Sequence, residues 1–377
     1  MQLPDPGPAA RLRSAALAAR IREEIERRGG WLRFDRYMEM ALYEPGLGYY
    51  AAGPVEIGAH GDFTTAAERG TLLPRAIAAL CERVLAAAEP RVILELGAGS
   101  GALAANLLDF LAERGAGGIE YLIVEPSASL RAQQQARLGA HAHAVKWLER
   151  LPSAPVAGLI LANEVADALP CLPFTKSSRG ARPFGVTVQA GALCGRVGAA
   201  DDELGRAVAK LEARLAAPFP PGYRSEICLV LGAWIATLAD ALERGALLLI
   251  DYGLPRRELY HADRSTGTLI CHYRHRAHGD PFVLPGLQDI SAWVDFSACA
   301  DAAAAAGLSV AGFTTQAQFL LETAATTTVG LDAAGAAERN AMKRLLLPGE
   351  MGERFKVLLL ARGIECGLPG RDLRSRL

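Results

Sequence analysis

The chain has 377 residues, 51% of them hydrophobic and 21% charged, with 40 Lys+Arg against 41 Asp+Glu and a formal net charge of -1. That apolar content excludes a disordered chain, and the near-neutral balance gives no ground for a nucleic-acid or anionic-membrane binder. Seven scattered cysteines without a C-x-x-C pair argue against a disulfide framework or a zinc ribbon and fit reduced thiols in a cytoplasmic compartment. No apolar run approaches the roughly 18 residues of a membrane span. At roughly 100–200 residues per domain, the length suits two units or one with large insertions.

Leu12, Leu17, Ile21 and Ile25 recur at helical spacing and predict a helix over 10–28, ended by Gly29-Gly30. The Ala/Arg/Ser stretch Arg11–Arg22 runs straight into Glu23, Glu24 and Glu26, which reads as an ordinary amphipathic helix rather than a transit peptide. A second helix is predicted over 34–43. The Gly/Pro/Tyr-rich stretch that follows, to Gly61-Asp62-Phe63-Thr64-Thr65, has little periodicity; its aromatic residues argue for a functional loop rather than disorder. From residue 71, helices over 71–88, 102–114, 127–138 and 232–243 alternate with aliphatic strands over 91–96, 121–125, 158–163 and 246–251, with a short apolar piece at 144–148. This pattern predicts a parallel sheet covered on both faces. Two segments interrupt it. Residues 171–225 suggest a hairpin and then a helix near 201–215, and residues 252–300 are polar with little periodicity. Both follow the C-terminal ends of strands, where open α/β sheets bind ligands. Leu308–Phe313, a helical stretch to about 347 and a closing strand over 355–361 complete the chain.

Glu95-Leu96-Gly97-Ala98-Gly99-Ser100-Gly101 follows a strand and opens a helix. Glycines there let the backbone turn tightly and approach a ligand at a helix N-terminus. The glycines alone also fit a dinucleotide fingerprint. Two acids favour S-adenosyl-L-methionine (SAM) over NAD. Glu95 suits a cationic aminopropyl group and would repel a pyrophosphate. Glu125, at the end of the next strand, can accept hydrogen bonds from two ribose hydroxyls. Trp147 could pack on adenine or sit in the core. At the end of the fourth strand, Asn163 offers an amide, while Glu164 and Asp167 offer two carboxylates suited to gripping a guanidinium; Asp167 could instead cap a helix. Asp251 ends the fifth strand.

Several further segments occur in a fixed order. Phe34-Asp35-Arg36-Tyr37-Met38-Glu39, Tyr43-Glu44-Pro45-Gly46-Leu47-Gly48-Tyr49-Tyr50 and Gly61-Asp62-Phe63-Thr64-Thr65 precede the glycine turn. Asn163-Glu164-Val165, Tyr223-Arg224-Ser225-Glu226-Ile227, Ile250-Asp251-Tyr252-Gly253, Gln288-Asp289-Ile290 and Glu350-Met351-Gly352-Glu353-Arg354-Phe355 follow it. Over residues 31–361 the chain resembles the MidA-like family of SAM-dependent methyltransferases. The resemblance implies a class I methyltransferase fold, with a Rossmann-like, seven-stranded, mostly parallel sheet. It also implies a protein arginine methyltransferase acting on a subunit of respiratory complex I. One departure is local: Arg69-Gly70-Thr71-Leu72-Leu73 follows Glu68 where the family pattern continues differently, in a loop that could touch substrate.

The expected organisation is an N-terminal helical segment with a substrate-side loop (1–70), a methyltransferase core (71–363) with insertions at 171–225 and 252–300, and a tail (364–377). The expected cofactor contacts are Glu95, Gly97, Ala98, Gly99, Gly101, Glu125, Pro126, Trp147, Asn163 and Glu164. The expected catalytic carboxylate is Glu164, assisted by Asp62, Glu68 or Asp167, because a methylated guanidinium must lose a proton. His272, His275 and His278 allow a zinc site, a polar cleft wall or plain surface; their arginine and aromatic neighbours favour the cleft wall, and no metal is expected. A protein substrate is expected, with a homodimer possible. Two other classes stay open: an assembly factor with little catalysis, and an NAD-dependent oxidoreductase, which Glu95 disfavours.

Overall fold

A computed structural model describes residues 3–52, 66–68, 70–89, 91–324 and 333–377. The aliphatic runs become the strands of one sheet: β1 (Val92–Leu96), β2 (Glu120–Val124), β3 (Val145–Leu148), β4 (Val156–Asn163), β5 (Leu242–Leu254), β6 (Ser309–Thr315) and β7 (Phe355–Arg362). Their order is β3-β2-β1-β4-β5-β7-β6. β1 to β5 are parallel, and β7 runs antiparallel to both neighbours. The chain leaves β1 towards β3 on one side and returns to β4 on the other. The crevice at the C-terminal ends of β1 and β4 is therefore the topological switch point, where such sheets bind ligands. This is the architecture of class I SAM-dependent methyltransferases.

Every residue of β4 is buried, because helices cover both faces. On one face lie α3 (Leu72–Leu85) and α4 (Ala102–Glu113), with Leu73, Ile77, Leu107 and Leu111 packed on Ile93, Leu159 and Leu248. On the other lie α7 (Leu231–Asp240) and α8 (Phe296–Ala305), with Ile235, Leu238 and Phe296 packed on Leu94, Ile160 and Leu249. A third core joins α1 (Pro8–Arg27), α2 (Phe34–Tyr43) and α6 (Asp202–Glu212) to the inserted strands, through Leu17, Phe34, Tyr37, Phe174, Leu204 and Ile290. α5 (Ala128–Arg137) follows β2. The N-terminal segment and the two insertions thus share apolar packing beside the mouth of the crevice.

Two features go beyond the sequence reading. The closing strand β7 is inserted between β5 and β6, a position the sequence left open, which explains why every residue from Phe355 to Ala361 is buried, Lys356 included. β6 takes the edge, with exposed Ser309 and a register shift between Val310 and Gly312 that blunts it. The 252–300 segment also contains a small sheet, with Ile270–Tyr273 paired to Arg276–His278 and Asp289–Ser291. These strands have three or four residues, too few for an alternation to register. Among the described residues, no helix is long and apolar enough to cross a membrane.

Arg362, at the end of β7, ties the sheet to both helices of one face. Its guanidinium donates to the carbonyls of Ala239, Leu242 and Ala306 at 2.7, 2.8 and 2.6 Å. Ala239 and Ala306 lie at the C-terminal ends of α7 and α8, where the helix dipole favours a cation. Arg362→Met should lower the unfolding free energy by about 1–3 kcal/mol, read as a lower denaturation midpoint at unchanged slope.

Candidate active site

After β1 the backbone turns through Gly97, Gly99 and Gly101, with φ of 61°, 54° and 81°. An L side chain is strained at each of these angles, and here glycine is required. The Gly101 N–H donates to the Ala98 carbonyl at 2.8 Å, and α4 starts at Ala102 with its first N–H groups aimed into the crevice mouth. Glu68 lies against this turn. Its carboxylate accepts from the Ser100 hydroxyl and, at 3.0 Å, from Arg137 Nη1. Glu68 is therefore held on the glycine turn.

Glu95 is buried in β1 and accepts from the Tyr121 hydroxyl at 2.7 Å. Burial pushes its carboxyl up to about 7, against the lowering effect of that hydrogen bond. Glu125 is buried just past the end of β2. It accepts from the Ser127 N–H at 2.9 Å and from Gln134 Nε2 at 3.0 Å, and burial raises its pKa as well. Gln134, on α5, also donates to the Gly99 carbonyl at 2.9 Å and accepts from the Trp147 indole at 3.1 Å. This fully buried amide couples the glycine turn to the Glu125 carboxylate, and sequence reasoning missed it. Nothing in its local pattern marks it, since only the fold brings α5 beneath the turn.

The end of β4 carries the next group. Glu164 has φ of 55°, a left-handed conformation that costs a non-glycine residue about 1–3 kcal/mol and persists only where the surroundings impose it. Asp251 imposes it. Its Oδ2 accepts from the N–H groups of Val165, Ala166 and Asp167 at 3.1, 2.8 and 3.2 Å, and its Oδ1 from the Tyr252 N–H at 2.8 Å. The Glu164 N–H is spent on the Ile250 carbonyl at 2.8 Å. Glu164 Oε1 accepts from the Ala66 N–H at 2.8 Å and from Asn163 Nδ2 at 3.3 Å. Asn163 Oδ1 is buried with no protein donor. Burial and the charges of Asp251, Asp289 and Glu164 push Asp167 well above the usual carboxylate range. Burial raises Asp251 too, but four N–H donors favour its ionised form, so Asp251 carries the charge and Asp167 the proton.

These elements enclose a cleft of about 650 Å³. Its walls bring together Glu68, Glu95, Gly97, Ala98, Gly99, Glu125, Pro126, Asn163 and Glu164, with Tyr43 and Tyr50 from the N-terminal segment. Gly101 supports the turn from behind, 3.4 Å from Gln134 measured from an added Cβ. Two residues go elsewhere. Asp167 lines a separate cavity behind the 164–170 turn, with Glu226 and Asp295. Trp147 does not line the cleft; it packs against the core, its indole tied to Gln134. Asp62 lies outside the described residues. The histidine cluster is not a cleft wall: His272 and His278 lie on paired strands of the 270–278 hairpin and His275 at its tip, and none lines the cleft. Among the described residues, no group of three or more His, Cys, Asp or Glu side chains could hold a metal.

Residues 72–314 match a family described as "Putative S-adenosyl-L-methionine-dependent methyltransferase". The chain belongs to this family. It is similar to a COG1565 superfamily member from Burkholderia thailandensis whose crystal structure holds S-adenosyl-homocysteine, with 42% identity over 98% of this chain and 99% of that chain and a TM-score of 0.89. It is also similar to a native crystal structure of a COG1565 superfamily protein from Burkholderia thailandensis, with 41% identity, the same coverage and a TM-score of 0.87. No curated protein matches. The cofactor is SAM, and the residues present fit it: three positive-φ glycines open a space beside a helix N-terminus, two buried acids flank it, and Asn163 Oδ1 is a buried acceptor in want of a donor.

Asp251→Ala leaves four N–H groups without their acceptor and releases the 164–167 turn. The variant should lose at least about 2 kcal/mol of stability. Its kcat should fall by more than its SAM affinity, as measured by chemical denaturation, calorimetry and initial rates.

Proposed function

We propose that this chain methylates an arginine side chain of a protein substrate, on a subunit of the respiratory complex I type. The observation that carries this reading is the position of Glu164. It is held in a left-handed turn at the end of β4, in the same cleft as the glycine turn, with its carboxylate accepting from the Ala66 N–H and Asn163 Nδ2. A carboxylate presented to the cleft, with Glu68, Glu95 and Glu125 on the other walls, favours a cationic acceptor, and the resemblance to the MidA-like family supports arginine as that acceptor and complex I as its setting.

SAM, when bound, supplies a methyl group on a sulfonium sulfur. The chain's own residues divide the remaining work. Glu95 would face the cationic aminopropyl group, Glu125 would accept hydrogen bonds from the ribose hydroxyls, and Asn163 Oδ1 would accept one from the ammonium. Glu164 holds the guanidinium by charge-assisted hydrogen bonds, keeps one nitrogen aimed at the methyl group and receives the proton that this nitrogen releases. Glu68, spent on Ser100 and Arg137, keeps the glycine turn in shape.

Methyl-labelled SAM, incubated with the protein and complex I subunits from the same cell, should place label on arginine; label on another residue type, or none, would overturn the reading. Glu164→Gln should lower the rate at least about 100-fold while SAM still binds; an unchanged rate sinks the role of Glu164. Glu95 adds a pH dependence. Its folded value of about 7 lies above the ordinary 4.5, so the unfolded chain loses this proton first. This group's share of stability is therefore lost as pH rises from about 4.5 to about 7. A cationic ligand beside Glu95 reverses the balance. S-adenosyl-homocysteine should bind more tightly as pH rises through 7, with proton release visible by calorimetry in buffers of different ionisation enthalpy. Glu95→Gln should flatten that profile.

A further inference from the structure

The acceptor half of the cleft has a feature that the carboxylates do not explain. Tyr43 and Tyr50 both line it. Their rings stack with centroids 5.7 Å apart and planes 21° apart, and Tyr49 packs edge-on against Tyr50 at 4.9 Å. Both hydroxyls are anchored. Tyr43 donates to the Ala168 carbonyl at 3.0 Å, and Tyr50 to Asp289 Oδ1 at 2.8 Å. Ala168 closes the turn that Asp251 organises, so the aromatic pair is fastened to the element that carries Glu164.

The local sequence builds this pair at the end of α2. The chain folds back on the helix terminus, with the Gly48 N–H on the Glu44 carbonyl at 2.7 Å, Tyr49 N–H on Ala41 at 2.9 Å and Tyr50 N–H on Leu42 at 2.9 Å. A Cβ on Gly48 would lie 2.5 Å from the Glu44 nitrogen and 2.7 Å from the Tyr43 nitrogen, so only glycine permits this approach. The approach sets Tyr50 beside Tyr43. Tyr43 is 40% exposed, so the pair can be reached from solvent.

We propose that the Tyr43–Tyr50 stack, hydrogen-bonded to Asp289 and the Ala168 carbonyl, is a platform that recognises a flat, delocalised guanidinium and lays it edge-on to Glu164. The proposal rests on the arginine reading above and adds to it the residues that select the acceptor. A guanidinium is planar, weakly hydrated and stacks on aromatic faces, whereas an ammonium is a compact, strongly hydrated point charge. The carboxylates attract either cation, but a flat ring face beside them favours the planar one. The two tyrosines are positioning and specificity residues. They hold the guanidinium plane while Glu164 deals with its proton.

The probes are acetyl-arginine amide, acetyl-lysine amide and the neutral acetyl-citrulline amide, titrated into protein saturated with S-adenosyl-homocysteine. Wild-type protein should prefer the arginine amide. Tyr43→Leu and Tyr50→Leu should weaken that binding about tenfold or more, since they remove the ring face. Tyr43→Phe and Tyr50→Phe, which keep the ring, should retain most of it. Affinity for S-adenosyl-homocysteine should stay near the wild-type value in all four variants, and each should keep one cooperative circular-dichroism melt, which guards against misfolding. If the wild type prefers arginine and the Leu variants bind it equally well, the platform is wrong and the arginine reading stands. Equal weakening by Phe and Leu would assign the effect to the hydroxyls and also overturn the platform. If the wild type binds the lysine or citrulline amide as well as the arginine amide, or binds none, the arginine reading itself falls and the platform falls with it.

Discussion

One carboxylate organises the reactive end of this sheet. Asp251, buried within β5, collects three consecutive N–H groups from the turn after β4, plus the N–H of Tyr252. These N–H groups would otherwise be orphaned at a strand end in a poorly solvated place, and a charged acceptor satisfies them at once. The turn can then hold Glu164 at positive φ and turn its side chain into the cleft. It also aims Asp167 away, into the cavity behind. Neighbouring acids in the sequence thus reach opposite sides of one turn.

The cofactor half is held by a second polar network of a different kind. Gln134 uses both ends of its amide: the nitrogen bridges the Gly99 carbonyl and Glu125, and the oxygen accepts from Trp147. Glu68, Ser100 and Arg137 brace the same turn from the outside. The aromatic pair from the N-terminal segment then lines the cleft, set there by the chain's fold-back at Gly48. The site is assembled from the sheet, α5 and a segment nearly fifty residues ahead of the first strand, so its geometry depends on the third core that presses α2 against the inserted strands.

Much of this was legible in order. The aliphatic runs of β1, β2, β4 and β5 read as buried parallel strands because both faces of each are covered, and the glycine spacing read as a ligand-binding turn because only glycine takes those angles cheaply. Glu95, Glu125 and Glu164 stood out by sitting at strand ends. Other residues did not read so plainly. Trp147 and the 272–278 histidines attract attention by composition, yet the first is drawn to the core by its Gln134 bond and the second lie on a hairpin away from the cleft. Gln134 has an ordinary local context, and its importance comes wholly from what it meets; Asp251 stood out as a strand acid, but only the fold shows that it holds the turn after β4.

The sequence by itself determined the class of the fold and the chemistry at the glycine turn, because hydrophobic periodicity and backbone angle are local properties that a short run of residues specifies. Only the tertiary structure decided which carboxylates share the cleft, that the last strand inserts between β5 and β6, and that Tyr43 and Tyr50 line the same cleft as Glu164. Those outcomes depend on contacts between residues more than a hundred positions apart, such as the Tyr43 hydroxyl on Ala168 and the Tyr50 hydroxyl on Asp289. Sequence spacing carries no record of such distances; the packing of one core against another sets them.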